Sequence, residues 1–474
     1  MRVSPAEISS TYPAAETPHG FVPSPGTEAS VASTRVAPLS WFELLARDAA
    51  NADNGFLLSP PQCFPQTPQA GEQTPENSEN LQPRSWRERQ SFEAASFQRV
   101  PGMERRLTSS EEEEAPSSDD PTSWTTPFSI SLSDFERRIF NHFVHFSSQW
   151  LDFYDPIKQF STTVPHLALR NPGLMRALLA FTVRHLSLGH DPGSSTRYGS
   201  LGCDTEQIFQ SESLLPAVDR NVAVEYYYET LHYLNKAMQH PSYARSHELV
   251  ATALLISAYE MIDGSNQDWE RHLKGVFWIQ RFQDNDGESG GLRQAVWWAW
   301  IRQDVWVAMR EHRRVFSFWQ PKRPLSILTA PELATRATWI LGQCVNYASR
   351  EEQDATDLPR RLERGSELLY MLQQWHEQLP CEYNALPTIS DTQVFPPIWV
   401  HPANYAAALQ AHSLARILVI IHRPSSGGLQ DYRVAQKLLT LSVNTICGIA
   451  RCVDPRDSAA SLSSLQCIFG GKPY

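Results

Sequence analysis

From Ser133 onward, apolar residues recur at spacings of three and four, so the chain reads as a succession of amphipathic helices. The string Ser-Asp-Phe-Glu at 133–136 opens the first one: Ser133 is placed to cap the backbone and Glu136 to reach back, a capping box. Behind it Phe135, Ile139, Phe143, Phe146 and Trp150 form one aromatic stripe, with His142 and His145 beside it. Pro156, Pro165 and Pro172 punctuate the next stretch, and Leu174, Leu178, Phe181 and His185 resume the helical period. After a Gly, Ser and Pro linker at 191–216, further helices are predicted over 222–238, 248–262, 269–282, 292–309, 334–348, 362–379 and 404–422. Alternation of period two between turn signals is nearly missing, so the fold class is all-α, a body of roughly ten helices.

Residues 1–127 lack this pattern. They hold 16 of the 34 prolines, and 18 acidic residues stand against nine arginines and no lysine, which leaves the rest of the chain close to neutral. Such a stretch buries too little apolar surface to offset its ordering entropy, so a long disordered acidic segment is expected at 1–127. Within it, Ser40-Trp-Phe-Glu-Leu-Leu-Ala-Arg-Asp sets Trp41, Phe42, Leu44 and Leu45 among Glu43 and Asp48. That pattern suits a short helix folding into a partner's groove, with a chance cluster as the alternative. The acidic run Glu111 to Glu114, flanked by serines, reads as solvated charge open to phosphorylation.

No secretory signal pattern opens the chain, and the apolar runs fall short of the roughly 20 residues of a membrane span. An intracellular, soluble protein is expected. Seven cysteines at 63, 203, 344, 381, 447, 452 and 467 are too sparse and irregular for a disulfide framework, so free thiols are expected.

Several strings resemble catalytic or metal chemistry until their context is weighed. Gly287-Glu-Ser-Gly-Gly fits the nucleophile elbow, but that turn needs a strand before it, and here a helix rich in Trp and Phe leads into a polar loop. Glu229 and His232 have the spacing of half a di-iron site, yet no second Glu-x-x-His pair supplies the remaining ligands. His247-Glu248 lacks the second histidine of a zinc peptidase, since Ala251 stands there. His142, His145 and His185 lie on or near apolar faces, where hydrogen-bonded structural histidines are the common case. Gly470-Gly471-Lys472 has neither the upstream glycine nor the following hydroxyl residue of a phosphate loop. Arg310, Arg313, Arg314, Lys322 and Arg323 make too small a basic cluster for duplex binding, and a pI near 5.8 agrees. No catalytic, cofactor-binding or metal-ligating residue is assigned, and no cofactor is expected.

Four strings in fixed order remain: WLDFYDP at 150–156, RHL at 184–186, HLKG at 272–275 and RQD at 302–304. With Tyr259-Glu260, the stretch 375–380 and the stretch 409–416, they resemble the regulatory region of fungal zinc binuclear-cluster transcription factors over roughly residues 135–455. The resemblance implies a helical regulatory domain at 128–474 of a nuclear transcription regulator. In that family an amino-terminal module binds two zinc ions through six cysteines and inserts a helix into the major groove. This sequence departs there: it contains no Cys-x-x-Cys, and its closest pair, Cys447 and Cys452, has four residues between. DNA contact is therefore expected only through a module not present in this chain, and the abrupt stretch 470–474 suggests a missing carboxyl part as well.

Within the strings the residues themselves point to packing. Trp150, Phe153 and Leu273 are expected inside, Gly275 to permit close helix approach, and Arg302 to pair with Glu260 or Asp304. The functional alternative is an effector pocket between helices. The partners implied are the transcription machinery or co-regulators, and homo- or heterodimers with full-length relatives, with no membrane. A reading from another class is a helical ligand-binding or enzymatic protein with no DNA role.

Overall fold

The computed structural model describes residues 124–188, 219–264, 269–389, 394–424 and 427–470, all within one compact unit. The acidic segment up to residue 123 and the linker at 191–216 lie outside the described residues.

The long helices are α1 Asp134–His145, α2 Pro172–Leu188, α3 Arg220–Ala237, α4 His247–Asp263, α5 Trp269–Phe282 and α6 Gly291–Glu311. They continue as α7 Ala330–Ala348, α8 Leu358–Glu377, α9 Ala403–His422, α10 Leu429–Ala450 and α11 Ser458–Gly470. Short helical turns fill several connections, and among the described residues the extended pairing is a single antiparallel bridge between Leu386 and Trp399. The all-α expectation holds.

The helix starts follow from local chemistry. Ser133 Oγ accepts from Glu136 N at 3.2 Å while Glu136 Oε2 accepts from Ser133 N at 2.8 Å, the capping box read from the sequence. A second box, Thr329 with Glu332, opens α7 four residues earlier than its apolar period indicates. The first aromatic stripe does not run on one helix: α1 ends at His145, Phe146 leaves helical geometry, and a 3₁₀ turn at Ser147–Trp150 redirects the chain. Both serines of that turn are buried, and Ser148 Oγ donates back to Val144 O at 3.1 Å, so the hydroxyls hold the bend. Ahead of it, Trp124 already packs on the body, its ring 5.1 Å from that of Tyr243 and its Nε1 donating to Ser242 Oγ at 3.0 Å.

Helix α2 packs against α1, α3 and α4, while α9 packs against α7, α8, α10 and α11. Between these groups stands α6, which touches α4 and α5 on one side and α7 and α11 on the other. Thirteen of its 21 residues are buried, among them Trp297, Trp298 and Trp300, so it is enclosed on most of its circumference. Helix α9 shares that character. Contrary to the sequence expectation, it is long and apolar enough for a membrane span, and 72% of the relevant window is buried inside the body. Its apolarity is therefore spent on the core. One continuous apolar cluster runs from Leu132 to Cys467 and unites all these layers.

Candidate functional site

The first and third strings meet the fourth at α6, and the second joins the first through His185. The Trp150 carbonyl accepts from Arg302 Nη2, and its indole Nε1 donates to Ser458 Oγ at 2.6 Å, so one residue fastens the first string to α6 and α11. The Trp150 ring lies edge-on to His185 at 5.5 Å, and His185 Nδ1 is 3.2 Å from Ser147 Oγ. Burial lowers the pKa of His185, which keeps the ring neutral inside this aromatic contact. Asp152 accepts from Phe160 N at 2.7 Å and Ser161 N at 2.8 Å, which closes the loop that follows. Burial outweighs those two bonds and pushes its carboxyl up to about 6.

Arg184 of the second string donates its Nε to Asp263 Oδ1 at 2.7 Å, and Arg220 holds the same carboxylate with Nε at 2.7 Å and Nη2 at 2.6 Å. This buried cluster ties the ends of α2 and α4 to the start of α3. In the third string His272 Nδ1 meets Glu260 Oε2, and Glu260 Oε1 also accepts from the Tyr227 hydroxyl. Leu273 is fully buried and its carbonyl accepts from Trp300 Nε1 at 2.9 Å, which joins HLKG to α6. Gly275 is buried. Phe153 packs on the core and carries the Arg302 guanidinium over its ring at 5.2 Å.

Arg302 itself departs from the sequence expectation. Glu260 is engaged by His272 and Tyr227, and Asp304 pairs with Arg313 at 3.0 Å while accepting from Phe316 N at 2.7 Å. Positions two apart on a helix point to different sides, so Arg302 and Asp304 cannot share one partner face. Arg302 turns instead toward the first string and lines a cavity of about 40 Å³ with Tyr154, Thr338, Leu341, Leu414 and Gln466. A larger cavity of about 470 Å³ lies between the start of α9, the end of α10 and the start of α11, lined by Trp399, His401, Gln410, Cys452, Asp454 and Asp457. Its volume falls in the range of small-molecule sites. The segment forming its rim is anchored by Ile398 N donating to Gly448 O at 2.9 Å.

The strings set aside on chemical grounds take structural places. Ser289 Oγ donates to Asp286 Oδ1 at 3.0 Å in the turn between α5 and α6, with a helix rather than a strand before it. Gly287 lies there because a Cβ would stand 2.6 Å from the Trp319 ring. Glu229 is paired with Arg176 at 2.8 Å, and His247 is exposed where Ala251, one turn on, is buried. His142 stacks on Phe146 at 4.8 Å, and burial brings its pKa down to about 4, whereas His145 is exposed. The arginines of the basic cluster are paired: Arg310 with Glu311 at 3.3 Å, Arg313 with Asp304, Arg314 with Glu352 and Arg323 with Glu332.

Sequence reasoning missed the Asp263 cluster and both cavities. Arg184 and Asp263 are 79 residues apart, and no local pattern announces their meeting. It also left α10 and α11 unassigned. In α10 the apolar residues Tyr432, Val434, Leu441 and Val443 are exposed, and buried positions are confined to its second half, which blurs its period.

No curated protein and no solved structure matches the chain. Residues 138–285 match the fungal specific transcription factor domain, a stretch from the middle of α1 to just past α5 that holds the first three strings and ends before RQD. The similarity to that domain covers residues 138–285, and α6 joins this stretch to the helices that follow.

Proposed function

We propose that this protein is a nuclear transcription regulator of the zinc-cluster class whose helical body, 128–474, is the regulatory part and whose acidic segment, 1–127, contacts the transcription machinery or co-regulators. The observation that carries the reading is the domain match at 138–285, together with the first three strings lying inside it. Net charge supports the division of labour: the body is close to neutral, its arginine cluster is consumed by internal ion pairs, and the acid is concentrated ahead of it. DNA is reached through a module outside this sequence or through a full-length relative bound as a dimer partner. The body regulates rather than catalyses, in keeping with its domain family.

The test is chromatin occupancy of the tagged chain in its native host. Enrichment at a defined set of promoters, with altered transcript levels of those genes on deletion, is the expected outcome. Uniform occupancy together with an unchanged transcriptome would refute the proposal.

A further inference from the structure

Arg302 is a cation carried into the interior without an anion. Its Nη2 donates to the Trp150 carbonyl, its guanidinium lies over Phe153 at 5.2 Å and Tyr154 at 5.9 Å, and its Nη1 is buried with no hydrogen-bond partner. Among the described residues no carboxylate forms an ion pair with it, whereas Arg184 and Arg313 each have one. A buried guanidinium left with a carbonyl and two ring faces keeps most of its desolvation cost. Burial accordingly lowers its pKa, without bringing an arginine near neutrality.

The cavity beside it has the complementary chemistry. Tyr154 and Thr338 bring hydroxyls that lie within hydrogen-bond reach of each other, and burial pushes the Tyr154 phenol up to about 12. Gln466 stands half-buried at the wall, and Val305, Met309, Leu341 and Leu414 supply an apolar side. The space of about 40 Å³ is partly open to solvent, and it exceeds the roughly 10–15 Å³ that one water needs. At roughly three waters' worth of space, it matches a ligand of two or three carbons.

We propose that this cavity takes a short-chain monocarboxylic acid, its carboxylate on Arg302 and the Tyr154 and Thr338 hydroxyls, its hydrocarbon end on Leu341 and Leu414. Such a ligand supplies the charge that the fold withholds. It also bridges the two halves of the body, since Tyr154 lies in the matched domain while Arg302, Thr338, Leu414 and Gln466 come from α6, α7, α9 and α11 outside it. Binding stands independently of the regulatory reading; its use as an effector site rests on that reading.

The test is a thermal-shift and calorimetric titration of the full chain, in chloride-free buffer at fixed ionic strength, with acetate, propionate, butyrate and hexanoate. Propionamide serves as the neutral control. One site per chain is expected, with Tm rising by roughly 3–6 °C at a hundredfold excess over Kd and no comparable rise with the amide. Arg302→Met removes the charge. Gln466→Glu, a change that suits a helix, places a carboxylate at the cavity wall and leaves Arg302 intact. Loss of the carboxylate response in Gln466→Glu, with helicity retained, supports the site even if Arg302→Met does not fold. No response to any of the acids, an equal response to propionamide, or a full response in either folded variant would overturn it. A carboxylate response in the titration, with transcript levels in the host unchanged by the same acids, would leave the site standing and sink the effector role alone.

Discussion

Replacing Asp263 by asparagine strips the charge from the cluster that joins α2, α3 and α4 while keeping its shape. The Asp263 side chain is 1% exposed, that of Arg184 8% and that of Arg220 31%. In Asp263→Asn both guanidiniums remain and both lose the Asp263 carboxylate. Breaking a buried pair costs about 3–5 kcal/mol, because the surviving charge stays desolvated. Arg220, nearly a third exposed, recovers much of its hydration, so the loss comes mainly from Arg184 and lies near the lower end, about 3 kcal/mol. Asp263 is also the last residue of α4, where the helix dipole disfavours an anion, so the two arginines must offset that term as well. The assay is urea unfolding at pH 7 followed by far-ultraviolet circular dichroism, comparing wild type, Asp263→Asn and the double variant Arg184→Met with Asp263→Leu. The double variant removes the buried pair altogether and is expected to be more stable than Asp263→Asn. A cost below about 1 kcal/mol for Asp263→Asn, or a double variant less stable than the single one, would refute the reasoning.

Gly448 approaches the rim of the larger cavity so closely that an added Cβ would lie 2.5 Å from the Pro396 carbonyl oxygen, a backbone atom with little room to yield. Gly448→Ala is therefore expected to cost about 1–3 kcal/mol in urea unfolding, although alanine is the better helix former. Trp300→Phe removes the indole bond to the Leu273 carbonyl from a fully buried position and is expected to lower stability by about 2–4 kcal/mol. His412, buried with its Nε2 3.1 Å from the Leu372 carbonyl, has its pKa brought down to about 3 by burial and then by the nearby Arg416 charge. The folded state therefore resists a proton that the unfolded state accepts below about 6.5, so stability falls as pH drops from 6.5 toward 3. Between pH 7 and 5 the wild type should lose about 2 kcal/mol more than His412→Gln, in which the amide retains a donor for the carbonyl. Equal slopes in urea titrations of the two proteins would contradict this.

The elements legible in the sequence are those whose signal is local. The capping box at Ser133 and Glu136 is contained in four residues, and both of its bonds form. The apolar periods of α2 through α9 survive because each of these helices buries a contiguous face or nearly its whole circumference. Where the signal depends on tertiary context, it fails. Phe146 continues the aromatic stripe in sequence, yet the buried hydroxyls of Ser147 and Ser148 turn the chain there. Leu429, Tyr432 and Leu441 lie on the exposed surface of α10, so its period does not report what it buries.

The same distinction governs the site. The strings were recognisable as a set, and their packing role for Leu273 and Phe153 followed from residue type. The partner of Arg302 did not. Glu260 and Asp304 are near it in the strings, but helix geometry and competing partners assign them to His272 and Arg313. What a charged residue lacks becomes visible only when every neighbour is placed.

The central claim is that the helical body regulates transcription. The direct measurement tethers residues 124–474 to a heterologous DNA-binding domain upstream of a reporter in a fungal host. The acidic segment is omitted so that its composition cannot supply the effect. Reporter output that changes several-fold relative to the DNA-binding domain alone, and reverts in the destabilised Asp263→Asn fusion, is the predicted result. Output indistinguishable from the DNA-binding domain alone, with the fusion folded and nuclear, would contradict the account.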